Sequence, residues 1–172
     1  FANADEPGTA NGEWHHYTGD IKGSRYSSLD QINADNFEDL EMVWNFSTKN
    51  LGTRGEYKLE VTPIMVEGVV YATAGTRRTA IALDAGTGEL MWLHSMREGL
   101  RGGMAPRQLS GRGLSYWSDG KGDDRVYYVT TGYRLIALNA HTGVPINSFG
   151  TDGNGILDLK IGAVQGNEVQ ID

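Results

Sequence analysis

His15-His16, His94, His141, Ser110, Gly111-Arg112-Gly113 and the run Asp119-Gly120-Lys121-Gly122-Asp123-Asp124 are positions where residue type and spacing could carry chemistry. Each reads better as structure. Adjacent histidines on an extended chain point apart, and no acidic pair stands at ligand spacing to them, so loop packing outweighs a metal site. His94 and His141 stand alone, in a strand and a turn. Ser110 has no base and acid at triad spacing around it. Gly-Arg-Gly is too short for a phosphate-cradling loop. The acidic run lacks the ligand spacing and closing Glu of a calcium loop, so it reads as a hairpin turn. With no cysteine in the chain, thiolate ligands, disulfides and cysteine nucleophiles are excluded.

The elements that must position any site follow from composition and periodicity. The chain has 172 residues, with 24 Gly, 4 Pro, 4 Trp, 8 Tyr and 4 Phe, and a formal net charge of −7. That length suits one domain. The acidic balance without a basic run disfavours nucleic acid, whose phosphates need clustered Lys and Arg. No apolar stretch approaches the roughly 18 residues of a membrane helix. Aromatics interleaved with glycines predict short strands and tight turns. Residues 1–13 read as a loose tail, in which Ala2-Asn3-Ala4 has the small-x-small form of a signal-peptidase site. Residues 33–40 read as a short helix capped by Asn33, and Met42–Thr48 alternates as a strand does. Further strands are predicted at Pro63–Val66, Val69–Ala74, Ala80–Leu83, Leu90–His94, Leu114–Trp117, Arg125–Thr131, Leu135–Asn139 and Ile146–Phe149.

These strands form two similar sets. Ile81-Ala82-Leu83-Asp84-Ala85 answers Ile136-Ala137-Leu138-Asn139-Ala140, and Thr87-Gly88 answers Thr142-Gly143, at an offset of 136 − 81 = 55. A four-strand repeat of about this period is the sequence sign of propeller blades. In the first turn, Asp84 can accept hydrogen bonds from the turn amides and the Thr87 hydroxyl. Gly88 supplies a positive φ, Ala82 leaves room for a neighbour, and Trp92 offers a flat face for stacking between sheets.

The pattern Ala82-x-Asp84-x-x-Thr87-Gly88-x-x-x-Trp92 resembles the tryptophan-docking motif of eight-bladed quinoprotein dehydrogenases. In that family the Trp of one blade stacks on the next blade's motif. The second copy carries Asn139 for the Asp and Asn147 at the Trp position, with Phe149 two residues on, which implies weaker docking. Residues 14–20 (WHHYTGD) and 24–33 (SRYSSLDQIN), then Glu60–Tyr71, Arg112–Trp117 and Gly132–Asn139, follow in order the signature of dehydrogenases dependent on pyrroloquinoline quinone (PQQ), glucose and polyol type.

The resemblance implies an all-β chain, an incomplete β-propeller of about two blades plus an N-terminal strand, with residues 1–172 the N-terminal portion of one propeller domain. It implies that Glu60 lines the quinone pocket and that Arg112 contacts PQQ. The chemistry suits a cofactor with three carboxylates, since a guanidinium fork pairs bidentately and stays charged. A solvated strand-edge acid and a surface ion-pair partner are the plain alternatives for Glu60 and Arg112. Methanol-type members carry adjacent cysteines shortly before that arginine. Here Pro106–Gly111 has none, which favours a sugar or polyol type, and Arg107 is a further residue that could meet the cofactor edge.

The family's catalytic aspartate and calcium ligands fall beyond residue 172, so no catalytic residue or metal ligand is assigned within the chain. It is read as an N-terminal fragment, inactive alone, of a periplasmic enzyme, membrane-associated in one version. That enzyme would oxidise sugars, polyols or alcohols with PQQ and Ca2+ and pass electrons to ubiquinone or cytochrome c, its ring closed by further C-terminal blades. The competing expectation is a non-catalytic propeller that serves as a binding or assembly scaffold.

Overall fold

A computed structural model describes residues 8–106, 108 and 113–159 of the chain. Two antiparallel four-stranded sheets dominate it. The first orders β1 (Ile64–Val66), β2 (Val69–Ala74), β3 (Thr79–Asp84) and β4 (Leu90–His94) side by side. The second orders β5 (Ser115–Ser118), β6 (Asp124–Val129), β7 (Arg134–Asn139) and β8 (Ile156–Asp158) in the same way. Between them runs a connection that contains one short helix, α1 (Gly99–Gly103). Consecutive strands that pair as neighbours in repeated four-stranded units are the build of propeller blades.

The first sheet is buried on both faces, and its sequence says why. Tyr71, Ala80 and Ala82 point to the second sheet and join Val126, Tyr128, Ile136 and Leu138 in one core. Ala72, Ala74, Ile81 and Leu83 point the other way, under Trp44, Phe46 and Leu51. Strand side chains alternate between faces, so the nearly continuous apolar runs VVYATA and TAIALD supply both cores. The alanines keep the first sheet thin enough for close approach from both sides.

Trp92 joins the two sheets. Its indole Nε1 donates to the Ala140 carbonyl at 2.8 Å, and its ring lies flat on Gly143. A Cβ at Gly143 would come 2.6 Å from the ring. Trp44 repeats the arrangement one unit earlier, with Nε1 donating to Ala85 at 3.0 Å and its ring on Gly88. The docking turn predicted from the sequence is thus met twice.

Four local expectations differ from the structure. Residues 8–13, expected as part of a loose tail, pack. Thr9 is buried, Ala10–Gly12 form a 3₁₀ turn, and the His15 amide donates to the Gly8 carbonyl at 3.0 Å. The rest of that tail lies outside the described residues. The helix at 33–40 shrinks to a 3₁₀ turn at Phe37–Asp39, because Asn33 and Asn36 use their side chains on nearby amides. Met42–Thr48 has the burial alternation of a strand, with Trp44 and Phe46 inward, but no ladder partner among the described residues. The strand expected at Ile146–Phe149 is a turn, and the fourth strand of the second sheet is β8 instead.

Candidate functional site

The topology sorts the connections onto two ends. The β2–β3 tip (75–78), the β6–β7 tip (130–133), the 95–114 connection and the approach to β1 all lie at one end. The docking turns 84–89 and 139–144 lie at the other. Charge follows the same division. At the first end Lys49, Arg54, Lys58, Arg77, Arg78, Arg97, Arg101 and Arg134 outnumber Glu56, Glu60, Glu98, Asp152 and Asp158. At the second, Glu67, Asp84, Glu89, Asp119, Asp123 and Asp124 outnumber Lys121 and Arg125. Among the described residues this end therefore carries more basic than acidic side chains, an environment that favours anions.

Glu60 sits at that cationic end, on the extended run that leads into β1. Its side chain is 48% exposed and pairs with Lys58 Nζ at 2.9 Å. The run is pinned to the β2–β3 tip, where Glu56 Oε2 accepts from the Gly75 amide at 2.7 Å and Thr76 Oγ1 accepts from the Thr53 amide at 3.2 Å. Arg112, Arg107 and Ser110 lie outside the described residues. Gly113, the next described residue after Arg112, is placed beside the Glu60 run. Its amide donates to Thr73 Oγ1 at 3.3 Å, and a Cβ on it would stand 3.2 Å from the Thr62 carbonyl oxygen. Arg54 also reaches across, donating to Gln108 Oε1 at 3.4 Å, while Gln108 Nε2 donates to the Gly103 carbonyl. The Glu60 run and, across from it, residues 95–106, 108 and 113 thus form two facing walls.

A buried charged network supports the second wall, and nothing in the sequence reading pointed to it. Glu98 stands at the N-cap position of α1, but its side chain, only 2% exposed, turns away from the helix amides to the second sheet. Its carboxylate accepts from the Gly132 amide at 2.7 Å, Thr130 Oγ1 at 2.8 Å, Thr131 Oγ1 at 3.0 Å and Arg134 Nη1 at 2.7 Å. Arg101, on the same helix, donates from Nε to the Gly132 carbonyl at 2.6 Å and pairs bidentately with Asp158 on β8. Burial works to raise the Glu98 pKa, but the Gly132, Thr130, Arg134 and Thr131 hydrogen bonds together hold it below the ordinary carboxylate range. Glu98 lies 34 residues from Gly132 in sequence, so no local motif announces the contact.

The remaining candidates find structural partners. His94 Nδ1 meets the Tyr128 hydroxyl at 2.8 Å between the sheets, and burial lowers the His94 pKa. His141 pairs with Asp124 at 2.8 Å. His15 lies 3.3 Å from Glu13. Asp119 Oδ1 accepts from the Lys121 and Asp123 amides, which makes the acidic run a hairpin turn.

Comparison with known proteins gives a consistent result. Residues 14–171 match the β-propeller domain of PQQ glucose/ethanol/alcohol dehydrogenases. Over 135 residues the chain is 38% identical to the dehydrogenase subunit of a quinone-type alcohol dehydrogenase from Gluconobacter oxydans, which covers 77% of this chain and 16% of that protein. It is 29% identical over 174 residues to the quinoprotein glucose dehydrogenase of the same organism, covering 92% of this chain and 21% of the relative. Among solved structures, the quinohemoprotein alcohol dehydrogenase of Comamonas testosteroni superposes with a TM-score of 0.66 at 30% identity, over 85% of this chain and 20% of that one. The chain therefore spans about a fifth or less of the length of these relatives.

Proposed function

The chain belongs to the PQQ glucose/ethanol/alcohol dehydrogenase β-propeller family, and on that membership we propose that it supplies the opening blades of a quinoprotein dehydrogenase that oxidises alcohols, sugars or polyols. The observation that carries the reading is the contact of the Glu60 run with Gln108 and Gly113, which flank Arg112 in sequence, at the end where basic side chains outnumber acidic ones among the described residues. That donor chemistry fits a cofactor bearing three carboxylates. Glu60, reachable from solvent and held beside Lys58, is an acceptor for the quinone's hydrogen-bond donors. Arg112 offers its guanidinium to a cofactor carboxylate.

When bound, PQQ supplies the oxidant that takes the hydride equivalent from the substrate C–H bond. The chain's own contribution is to orient the cofactor and hold its charge. The catalytic base, Ca2+ and its ligands belong to further blades of the whole protein, which we place in the periplasm with ubiquinone or cytochrome c as electron acceptor.

The test uses the whole polypeptide that carries this segment, stripped of cofactor and titrated with PQQ in the presence of Ca2+. Arg112→Ala is expected to weaken binding by about 1.5–3 kcal/mol, the scale of a hydrogen bond to a charged group. Unchanged affinity would remove Arg112 from the site. Failure of the parent protein to bind any PQQ would favour the scaffold propeller.

A further inference from the structure

Building on that reading, we infer that Glu98 is a positioning residue for the quinone-facing end: it fixes residues 95–106 against the second sheet, and cofactor affinity depends on it. The helix that follows it cannot hold itself in place. α1 is five residues long and three of them are glycine, so neither helix propensity nor cooperativity stabilises it. Its position comes from side chains that reach the second sheet. Glu98 uses both carboxylate oxygens on the β6–β7 tip, and Arg101 spans from the Gly132 carbonyl to Asp158 on β8.

Arg134 closes the circuit, since its guanidinium pairs with Glu98 at 2.7 Å and lies 4.0 Å from Asp158. The fit around Glu98 is close. A Cβ on Gly132 would stand 2.6 Å from Glu98 Oε1, and one on Gly102 would stand 3.2 Å from Glu98 Cβ. From the far end of α1 the support continues through Gln108 to Arg54, on the run that carries Glu60. The hydrogen-bond partners of Glu98 are Thr130, Thr131, Gly132 and Arg134, so its effect on the cofactor is carried through the backbone it anchors.

Removing the carboxylate would leave the Gly132 amide and two threonine hydroxyls without their acceptor and Arg134 without its ion-pair partner at that point. The connection would then sample other positions, and part of the cofactor's binding energy would go into ordering it.

The experiment compares Glu98→Ala with the parent in the whole apoprotein, by equilibrium PQQ titration read from fluorescence quenching and by amide hydrogen exchange without cofactor. The expected result is an affinity loss of about tenfold or more, with faster exchange confined to residues 99–106 and 130–134 and unchanged exchange in β1–β4. Glu98→Gln, which keeps an acceptor for the Gly132 amide, should recover part of both. PQQ affinity within about twofold of the parent alongside the faster local exchange would overturn the inference, as would unchanged exchange at the connection. Arg112→Ala serves as the control. If it weakens binding while Glu98→Ala does not, the inference alone fails, and if neither has an effect the assignment of the site fails with it. Should Glu98→Ala not fold, Thr131→Val removes one of the four bonds. A smaller loss of the same kind then supports the inference, and parental affinity and exchange overturn it.

Discussion

The two sheets begin alike and end differently. The second and third strands of each pair in the same way, at offsets of 127 − 71 = 56 and 137 − 82 = 55 residues, with Tyr71 opposite Ala82 in the first and Tyr127 opposite Ala137 in the second. In the first sheet β4 runs unbroken past one bulge. Ala82 faces Trp92, Leu83 faces Leu90, and Met91 is the extra residue. In the second, Leu138 meets Pro145 and Ile136 meets Ile156, so everything from 146 to 155 is inserted opposite Ala137. The Ala137 carbonyl accepts from the Ile146 amide while its own amide donates to the Gly155 carbonyl, which pins both ends of the inserted loop. By register, the residue in Trp92's place is Gly155. A bulge in one blade has thus become a ten-residue excursion in the next, without disturbing the ladder on either side.

The comparison also separates two roles within one motif. The turn that receives a tryptophan and the strand that offers one are independent. The second copy receives Trp92 as closely as the first receives Trp44, although it carries Asn139 for Asp84. The weaker docking implied by its degenerate sequence belongs to its own outgoing side, where the register places glycine.

The largest effect should come from the ring at this junction. Trp92→Ala removes a buried indole between the sheets and should cost about 3–5 kcal/mol of stability in the whole protein, measured by denaturant titration. A loss within experimental error would show that the two sheets do not depend on that dock. Gly143→Ala should come next. It adds a Cβ 2.6 Å from the Trp92 ring at a φ of 69°, so both strain and clash oppose it, and a cost above about 1 kcal/mol is expected. Gly88→Ala at a φ of 73°, against Trp44, tests the same geometry in the first unit, where the indole is less buried. A smaller cost there sharpens the comparison, and a larger one would reverse it.

Much of this fold was legible because it is local. Alternation marked β1 to β7 to within a residue or two, and the Asp84–Gly88 turn declared its own hydrogen bonds. The last strand was misplaced because Ile146-Asn147-Ser148-Phe149 is as apolar and extended in character as Ile156–Asp158, and no local signal shows which of them returns to the ladder. Pro145, Gly150 and Gly155 bracket the excursion, but their meaning appears only with the register. The candidate site divides in the same way. Glu60 and its end of the sheet follow from the resemblance to quinoprotein dehydrogenases. The Glu98 network does not, because it joins an interblade helix to a hairpin tip and a strand that are distant in sequence.

The smallest predicted effect distinguishes the two docking turns by pH. Asp84 Oδ1 accepts from the Thr87 amide at 2.8 Å, the Thr87 hydroxyl at 2.9 Å and the Gly86 amide at 3.0 Å. Asn139 Oδ1 accepts from the Thr142 amide, the Thr142 hydroxyl and the His141 amide at 3.0–3.1 Å. The geometry is shared, but only Asp84 titrates. The Thr87 amide, the Thr87 hydroxyl and the Gly86 amide hold its carboxyl below the usual range. Its folded pKa is therefore depressed, and the stabilisation it gives is present above the ordinary carboxylate pKa of about 4 and is lost as pH falls through the folded value. Asp84→Asn copies the second turn into the first. It should leave stability near neutral pH little changed and make the acid limb of the stability curve shallower, whereas Asn139→Asp should make it steeper. Parallel acid limbs for Asp84→Asn and the parent would mean that the charge on Asp84 contributes nothing, and that the two turns are equivalent in energy as well as in shape.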